Sequence, residues 1–408
     1  MQKIILICLF LLSACASTMQ SHLNDVQTNF ANADFENITK NADIKNANNL
    51  DLLIDAIALF HENKFKESDD AFQEFNKRNI DETASSISRE TAVLLFGAGV
   101  NSYKPYMMDS LFVSYYQIWD LLALQDWANA RVVINQSYER QKNMSIEYEK
   151  LIEKNKSQMA EHSDLNNALN ENQIRWEAFS DIMNPALMYL SGIYFLNDGD
   201  FANAEIYLKR ANGMTPNNTF IESDLTYAQK RQKPTNTTWI FYESGFAPRL
   251  REEKFGLFLP VIGVAEFAVS EPYFDTTYTQ PRGSQILADV DKMFLTEYNE
   301  YRINEILRMY LSTISKSALQ ASMYNSASDS APLLGILSTI YTISSSNADV
   351  RTWATLPKYI YVQRIENDKT NLNELNLGAK INSELKGNNL IYVRLHGKPT
   401  DVKVIKLK

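Results

Sequence analysis

The sequence is poor in the side chains that most often carry chemistry, since its 408 residues include only two cysteines and four histidines. His61, His162 and His396 lack the i, i+4 spacing that places two metal ligands on one helix face, so neither a metal site nor a cofactor is expected. Lys and Arg total 40 against 49 Asp and Glu, and no long basic run occurs. Nucleic acid is therefore not an expected partner, because phosphate binding requires clustered cations.

Catalytic motifs are missing as well. No G-x-S-x-G turn occurs, and Ser383-Glu384-Leu385-Lys386 fits S-x-x-K without the companion motifs of Ser-Lys acyl enzymes. The 13 Gly and 11 Pro accompany 45% hydrophobic and 22% charged residues, which is a globular composition. The length predicts two or three domains, and the protein is not expected to be an enzyme.

The first fifteen residues have the features of a targeting segment. Lys3 precedes nine apolar residues, 4–12, which as a helix would cover about 14 Å and could not cross a bilayer. Leu12-Ser13-Ala14-Cys15 then resembles the bacterial lipobox. This resemblance implies that residues 1–14 are a signal peptide and that Cys15 becomes the lipidated N-terminus. The alternative is an ordinary signal peptide that ends near a cysteine.

Lipidation of Cys15 would anchor the protein without a transmembrane helix, because several acyl chains together hold a protein stably on a bilayer. In the lipoproteins that this segment resembles, Asp directly after the cysteine favours the inner membrane. Residue 16 is Ala. We therefore expect an outer-membrane protein that faces the periplasm, with the inner membrane or the cell surface as alternatives.

A short pattern recurs along the first half of the chain, in which a polar turn is followed by an aromatic residue. Its copies are Ala33-Asp34-Phe35, Asn63-Lys64-Phe65, Gln125-Asp126-Trp127 and Gly199-Asp200-Phe201. The last copy, with Ala204, Leu208, Ala211 and Pro216, resembles the tetratricopeptide repeat. One helix pair cannot bury its apolar face alone, so the pattern predicts a stacked, tetratricopeptide-like array of α-helical hairpins over residues 15–235.

Three further segments of the chain carry separate predictions. Residues 83–96 suit a helix, which a Gly-rich aromatic loop follows. Residues 138–172 are polar and charged at helical spacings, which predicts a long solvated helix with a break near 162–167 or, as the alternative, a partner-binding arm. Residues 331–343 are apolar but too few to cross a bilayer.

The periodicity changes after residue 235. Six runs rich in aromatic and β-branched residues predict strands, at 239–242, 255–259, 264–269, 359–365, 390–395 and 402–407. Residues 285–324 show the spacing of a helix with one buried stripe. The second half, residues 236–408, is therefore predicted to be a smaller α+β domain.

Five residues are candidates for partner binding. In an extended chain Asp349, Arg351 and Trp353 share one face, which would permit an Asp–Arg bond and a stack of the guanidinium on the indole. This motif is interpreted either as an exposed clamp for a partner or as a structural corner that fixes the loop to the sheet. Tyr103 and Tyr106, in the predicted loop, are expected to be exposed.

Together, the lipobox, residues 125–131, residues 349–357 and Tyr242-Glu243-Ser244-Gly245 resemble a family of bacterial lipoproteins of uncharacterised function. The resemblance implies a tetratricopeptide-like N-terminal half and a small C-terminal domain, and it brings no catalytic residues. The hypothesis is a membrane-anchored periplasmic scaffold or adaptor that binds envelope proteins or peptides. The alternatives are an envelope hydrolase with its site in the C-terminal domain and a lipoprotein subunit of a secretion or surface-assembly complex.

Overall fold

A computed structural model describes residues 14–82, 103–162, 165, 183–259, 263–326, 348–369 and 385–408. Several predictions lie outside these residues: the signal peptide up to residue 13, the helix at 83–96, the glycines that follow it, and the apolar segment at 331–343. Cys15 lies within the first helix, and its side chain is not described.

The described N-terminal half is helical, as predicted. Its helices are α1 (Ala14–Ala31), α2 (Glu36–Thr39), α3 (Asn49–His61), α4 (Phe65–Glu82), α5 (Met107–Ala123), α6 (Trp127–Glu161), α7 (Pro185–Asp198), α8 (Phe201–Met214) and α9 (Thr219–Gln229). Helix α3 packs on α4, α5 on α6 and α7 on α8, so the tight turns join helical hairpins.

The recurring sequence pattern corresponds to one recurring backbone turn. Ala33, Asn63, Gln125 and Gly199 adopt left-handed φ values of +57°, +62°, +58° and +83°. In all four turns the N–H of the next residue donates to the carbonyl oxygen five positions earlier, at 2.8–3.0 Å. This is the hydrogen bond of a Schellman motif, which ends one helix and redirects the chain into the next.

In three of the turns an aspartate follows the left-handed residue. Asp126 and Asp200 are the N-caps of α6 and α8, and Asp34 directly precedes Phe35, the N-cap of α2. Asp34, Asp126 and Asp200 each accept the N–H of the residue three positions on, at 3.1–3.3 Å, as helix N-caps do. Lys64 occupies this place in the second turn and cannot act as an acceptor. The turns that share the Asp-aromatic signal thus share its capping chemistry.

The C-terminal half contains a five-stranded mixed sheet and a separate two-stranded hairpin. Its elements are β1 (Thr237–Ser244), β2 (Arg249–Leu259), β3 (Gly263–Tyr273), β4 (Gln285–Asp289), α10 (Val290–Ser326), β5 (Tyr359–Glu366), β6 (Asn389–His396) and β7 (Lys398–Lys406). The sheet order is β4-β5-β1-β6-β7, and β2 pairs with β3. Strand β1 is parallel to β6 and antiparallel to β5. All six predicted strands are confirmed.

Two helix predictions need correction. The helix expected from residue 285 begins at Val290, because Gln285–Asp289 pairs with β5 at the sheet edge; a short apolar run does not distinguish strand from helix. Helix α6 ends at Glu161, near the predicted break. It is not solvated on all sides, because Tyr148 and Asn155 are buried and bond to Thr296 and Glu300 of α10.

One hydrophobic core joins the two predicted domains. The change from helix to strand falls between Gln229 and Thr237, around the predicted boundary. However, Trp239 and Phe241 of β1 belong to the same buried cluster as the helical residues, and the Phe241 ring lies 5.4 Å from the Trp119 ring of α5. The other face of the sheet carries a second buried cluster around Ile240.

Candidate functional site

The structure brings three of the five predicted partner-binding residues together, namely Tyr103, Asp349 and Arg351. Arg351 donates two hydrogen bonds to the carboxylate of Asp349, at 2.7 and 2.6 Å, which confirms the predicted bond. Its aromatic partner among the described residues is Tyr103, 6.0 Å from the guanidinium carbon, and not Trp353 as predicted. Trp353 is 1% exposed and packs against Tyr116 of α5.

The expectation that Tyr103 and Tyr106 are exposed is wrong. Tyr103 is 2% exposed and donates its hydroxyl to Asp109 at 2.6 Å, and the Tyr106 ring packs 5.3 Å from both Phe294 and Tyr301. This segment leads into the N-terminus of α5, where tertiary contacts with α10 cover it. A loop position in the sequence therefore does not imply a free surface here.

The segment after Arg351 is fixed to the end of strand β1. The Lys358 N–H donates to the Ser244 oxygen at 3.1 Å, and the Ala247 N–H donates to the Leu356 oxygen at 2.8 Å. These contacts fit the structural-corner interpretation of the motif. With Tyr103 and Trp353 buried, Tyr106, Asp349 and Arg351 are the candidates that remain partly exposed.

The arrangement closest to a catalytic pair lies between α3 and β7. His61 Nδ1 is 2.8 Å from Asp401 Oδ2, and Lys403 Nζ lies 2.8 Å from the same oxygen. The His61 ring stacks on Phe35 at 4.6 Å, and its Nε2 is buried with no hydrogen-bond partner among the described residues. Burial lowers the pKa of His61 to about 4, so the ring is a weak base. Its bond to Asp401 connects α3 to the last strand, β7.

Two buried carboxylates fix the helices to the sheet. Glu243 of β1 accepts the Tyr116 and Tyr392 hydroxyls at 2.8 and 2.7 Å and pairs with Arg394 at 3.2 Å. Asp224 of α9 accepts from Tyr189, Trp239 and Arg364 at 2.6–2.8 Å. Because every donor comes from another element than the carboxylate it bonds to, these contacts hold the architecture together.

An open pocket lies between α1, α3 and the segment that joins them. Its volume is about 450 Å³. Four carboxylates, four asparagine amides, one histidine and four apolar side chains line it: Asp25, Asp43, Asp51, Asp55, Asn29, Asn37, Asn41, Asn46, His22, Val26, Ile38, Ala47 and Ile54. We call it the acidic pocket.

Asp55 is the buried carboxylate of the acidic pocket. Its exposure is 8%, and no hydrogen bond from the described residues reaches it. Burial, reinforced by the charge of Asp51 one helical turn away, raises its pKa to about 7. His22 faces the pair from α1, with Nε2 3.4 Å from Asp51 Oδ1, and the hydrogen bond to Asp51 raises the pKa of His22.

The carboxylates of the acidic pocket differ in the hydrogen bonds that they accept. Asp43 is occupied, since it accepts from the backbone of Lys45 and from the side chain of Asn46. Asp55 has no such partner, and Val26 and Ile54 lie buried beside it. Asp55 can therefore bind a cation or a hydrogen-bond donor next to the apolar side chains of Val26 and Ile54.

Sequence reasoning did not find the acidic pocket. The only local signal is the i, i+4 spacing of Asp51 and Asp55, which places two like charges on one helix face, where they repel each other. The pairing of that face with His22 and Asp25 depends on how α1 packs, and the sequence alone does not specify this packing.

The comparisons with known proteins add no family: a scan against family models matches none, and searches of curated proteins and of solved structures also give no match. Within the part of the chain that the structure describes, no three His, Cys, Asp or Glu side chains converge as metal ligands. Among the described helices, none combines the length and the apolarity needed to span a bilayer.

Proposed function

We propose that the protein is a lipid-anchored lipoprotein of the bacterial envelope that works as a protein-binding scaffold, with the acidic pocket as its binding site. The observation that carries the proposal is the position of this pocket relative to the predicted anchor. Helix α1 contains Cys15 and continues to Ala31, so His22 lies seven residues, or about 10 Å, beyond the anchor along one helix. A pocket so placed would meet partners close to the membrane surface.

The helical half supports a scaffold more than an enzyme. Its four turns share a left-handed residue and the same hydrogen bond across five positions, which is in keeping with repeated, tetratricopeptide-like hairpins, and such arrays bind through extended surfaces. We do not adopt the hydrolase alternative, because the His61 ring faces aromatic rings and no serine, threonine or cysteine of the described residues bonds to the His61–Asp401 pair. The other alternative is that the protein is a subunit of a secretion or surface-assembly complex, and co-purification with membrane-spanning proteins would favour it.

Replacing the anchoring cysteine tests the lipoprotein proposal. We expect Cys15→Ala to abolish acylation and membrane fractionation while the circular dichroism of the helices stays unchanged. Mass spectrometry of the N-terminus and fractionation after a high-salt wash measure both effects. Unchanged membrane association of the variant, or an unmodified and uncleaved wild-type N-terminus, would contradict lipid anchoring.

The scaffold proposal has a separate test in intact cells. A photo-reactive residue at Asn41, on the rim of the acidic pocket, should cross-link to an envelope protein. The matched control is the same residue at Asp70, which is exposed on α4 and does not line the pocket. The absence of any protein cross-linked at Asn41, or identical products at both positions, would argue against the pocket as a protein-binding site.

A further inference from the structure

The acidic pocket also indicates what kind of group it binds. We propose that it takes one basic side chain, lysine or arginine, of the partner protein, with Asp55 as the buried counter-charge; this inference rests on the proposed function above. Two independent observations carry it. One is the open pocket itself, and the other is Asp55, a residue that is 8% exposed, lines that pocket and accepts no hydrogen bond from the described residues.

The burial of Asp55 is costly unless a ligand compensates for it. A buried carboxylate normally has a cation or several hydrogen bonds beside it, because removing its charge from water costs free energy. Asp55 instead has the like charge of Asp51 on its own helix and, across the pocket, only His22 of α1, which is already bonded to Asp51. An ammonium or guanidinium group would supply the charge and the hydrogen bonds that Asp55 lacks.

The apolar lining fits the stem of a basic residue. Val26 and Ile54 are buried beside Asp55, and Ile38 and Ala47 complete the apolar part of the wall. Lysine and arginine bury their methylene stems against such surfaces while their charged ends find a polar partner. One side chain would therefore satisfy both the apolar wall and the carboxylate.

Other cations fit the pocket less well. A metal ion is disfavoured because no three acidic or histidine side chains of the described residues converge on one point. The ethanolamine headgroup of a phospholipid carries a phosphate two carbons from its amine, and this phosphate would approach Asp25 and Asp43 at the rim. Like charges repel at such distances, so a side chain without an adjacent anion is favoured.

The test measures binding of the peptide Ac-Gly-Lys-Gly-NH₂ to the full-length protein in detergent micelles by saturation-transfer NMR. The control peptide has norleucine in place of lysine and keeps the stem without the charge. We expect the lysine peptide to bind and the norleucine peptide not to. Asp55→Asn should weaken lysine binding by about tenfold or more, since it removes a charge-assisted hydrogen bond. Asp70→Asn, which makes the same change on an exposed face, should leave it unchanged.

The pH dependence provides a second readout. The charged groups around Asp55 are Asp51 on α3, His22 and Asp25 on α1 and Asp43 in the connecting segment. Because burial raises the pKa of Asp55 to about 7, the carboxylate gains its charge as the pH rises through neutrality. Lysine binding should therefore strengthen between pH 6 and pH 8. Asp55→Asn should reduce this dependence, and the part that remains comes from His22, which loses its positive charge in the same range because the bond to Asp51 raises its pKa. The variant should fold, because it removes a buried charge.

Three results would overturn the inference: equal binding of the norleucine peptide, lysine binding that survives Asp55→Asn, or binding to phosphatidylethanolamine vesicles with no binding of the lysine peptide. These results are distinct from a failure of the scaffold proposal. If the peptide does not bind but a partner still cross-links at Asn41, the scaffold stands and the basic-residue ligand is wrong. If nothing cross-links there, the scaffold itself is wrong.

Discussion

Removing the carboxylate of Asp224 should strongly destabilise the protein, because this group joins four elements. Asp224, on α9, is fully buried. It accepts hydrogen bonds from Tyr189 of α7, Trp239 of β1 and Arg364 of β5. Asp224→Ala would leave three buried donors without an acceptor, including a guanidinium that is 8% exposed. Breaking a buried ion pair from one side costs about 3–5 kcal/mol of unfolding free energy, so we expect a loss in that range.

Urea unfolding measures this loss, followed by far-ultraviolet circular dichroism and by tryptophan fluorescence. Both probes should give one midpoint, because the larger buried cluster contains residues of both the helices and the sheet. Adding Arg364→Met to Asp224→Ala should cost less than the sum of the two single changes, since the double variant has no unpaired charge. The exposed Lys66–Asp70 pair is the control, and Asp70→Ala should change stability by about 0.5 kcal/mol or less. A cost below about 1 kcal/mol for Asp224→Ala, or strict additivity with Arg364→Met, would refute the reasoning.

Two further predictions concern helix packing and acid sensitivity. Gly192→Val should destabilise the protein by about 1–3 kcal/mol, because a Cβ at this position would lie 2.6 Å from Leu208 Cδ2. Gly213→Ala should stabilise the protein by about 0.5–1 kcal/mol, because a Cβ at this position on α8 meets open space. Thermal melts measure both changes, and the opposite order of melting temperatures would contradict the packing. The pKa of His61 is about 4 when folded and about 6.5 when unfolded, so the unfolded chain binds the proton first as the pH falls. Its contribution to stability should therefore be lost between about pH 6.5 and pH 4, and a His61→Phe variant with the same pH profile would show that another group is responsible.

Local patterns predicted the secondary structure well. The Asp-aromatic signal at residues 34–35, 126–127 and 200–201 marks real turns, because a left-handed residue and an N-cap depend only on neighbours within about five positions. The same is true of the six strands, whose aromatic and β-branched runs are local. Strand β4 was missed because five residues at a sheet edge carry too short a pattern.

Long-range contacts account for the errors at the candidate site. Asp349 and Arg351 are two residues apart, and their bond could be predicted from spacing. Tyr103 is buried because the 349–351 segment and α5 enclose it, a contact across almost 250 residues that no local pattern reports. His61 and Asp401, which lie 340 positions apart, illustrate the same limit.

The sequence by itself therefore determined most of the helices and strands and the turns between them, because each depends on adjacent residues, while the lipidation of Cys15 stays a prediction. Only the tertiary structure decided that the two halves share one core, that Trp353 and Tyr103 are inaccessible and that Asp55 lines an open pocket opposite His22. The physical reason is that burial and charge pairing depend on which faces meet when distant segments pack, and this is a property of the whole chain.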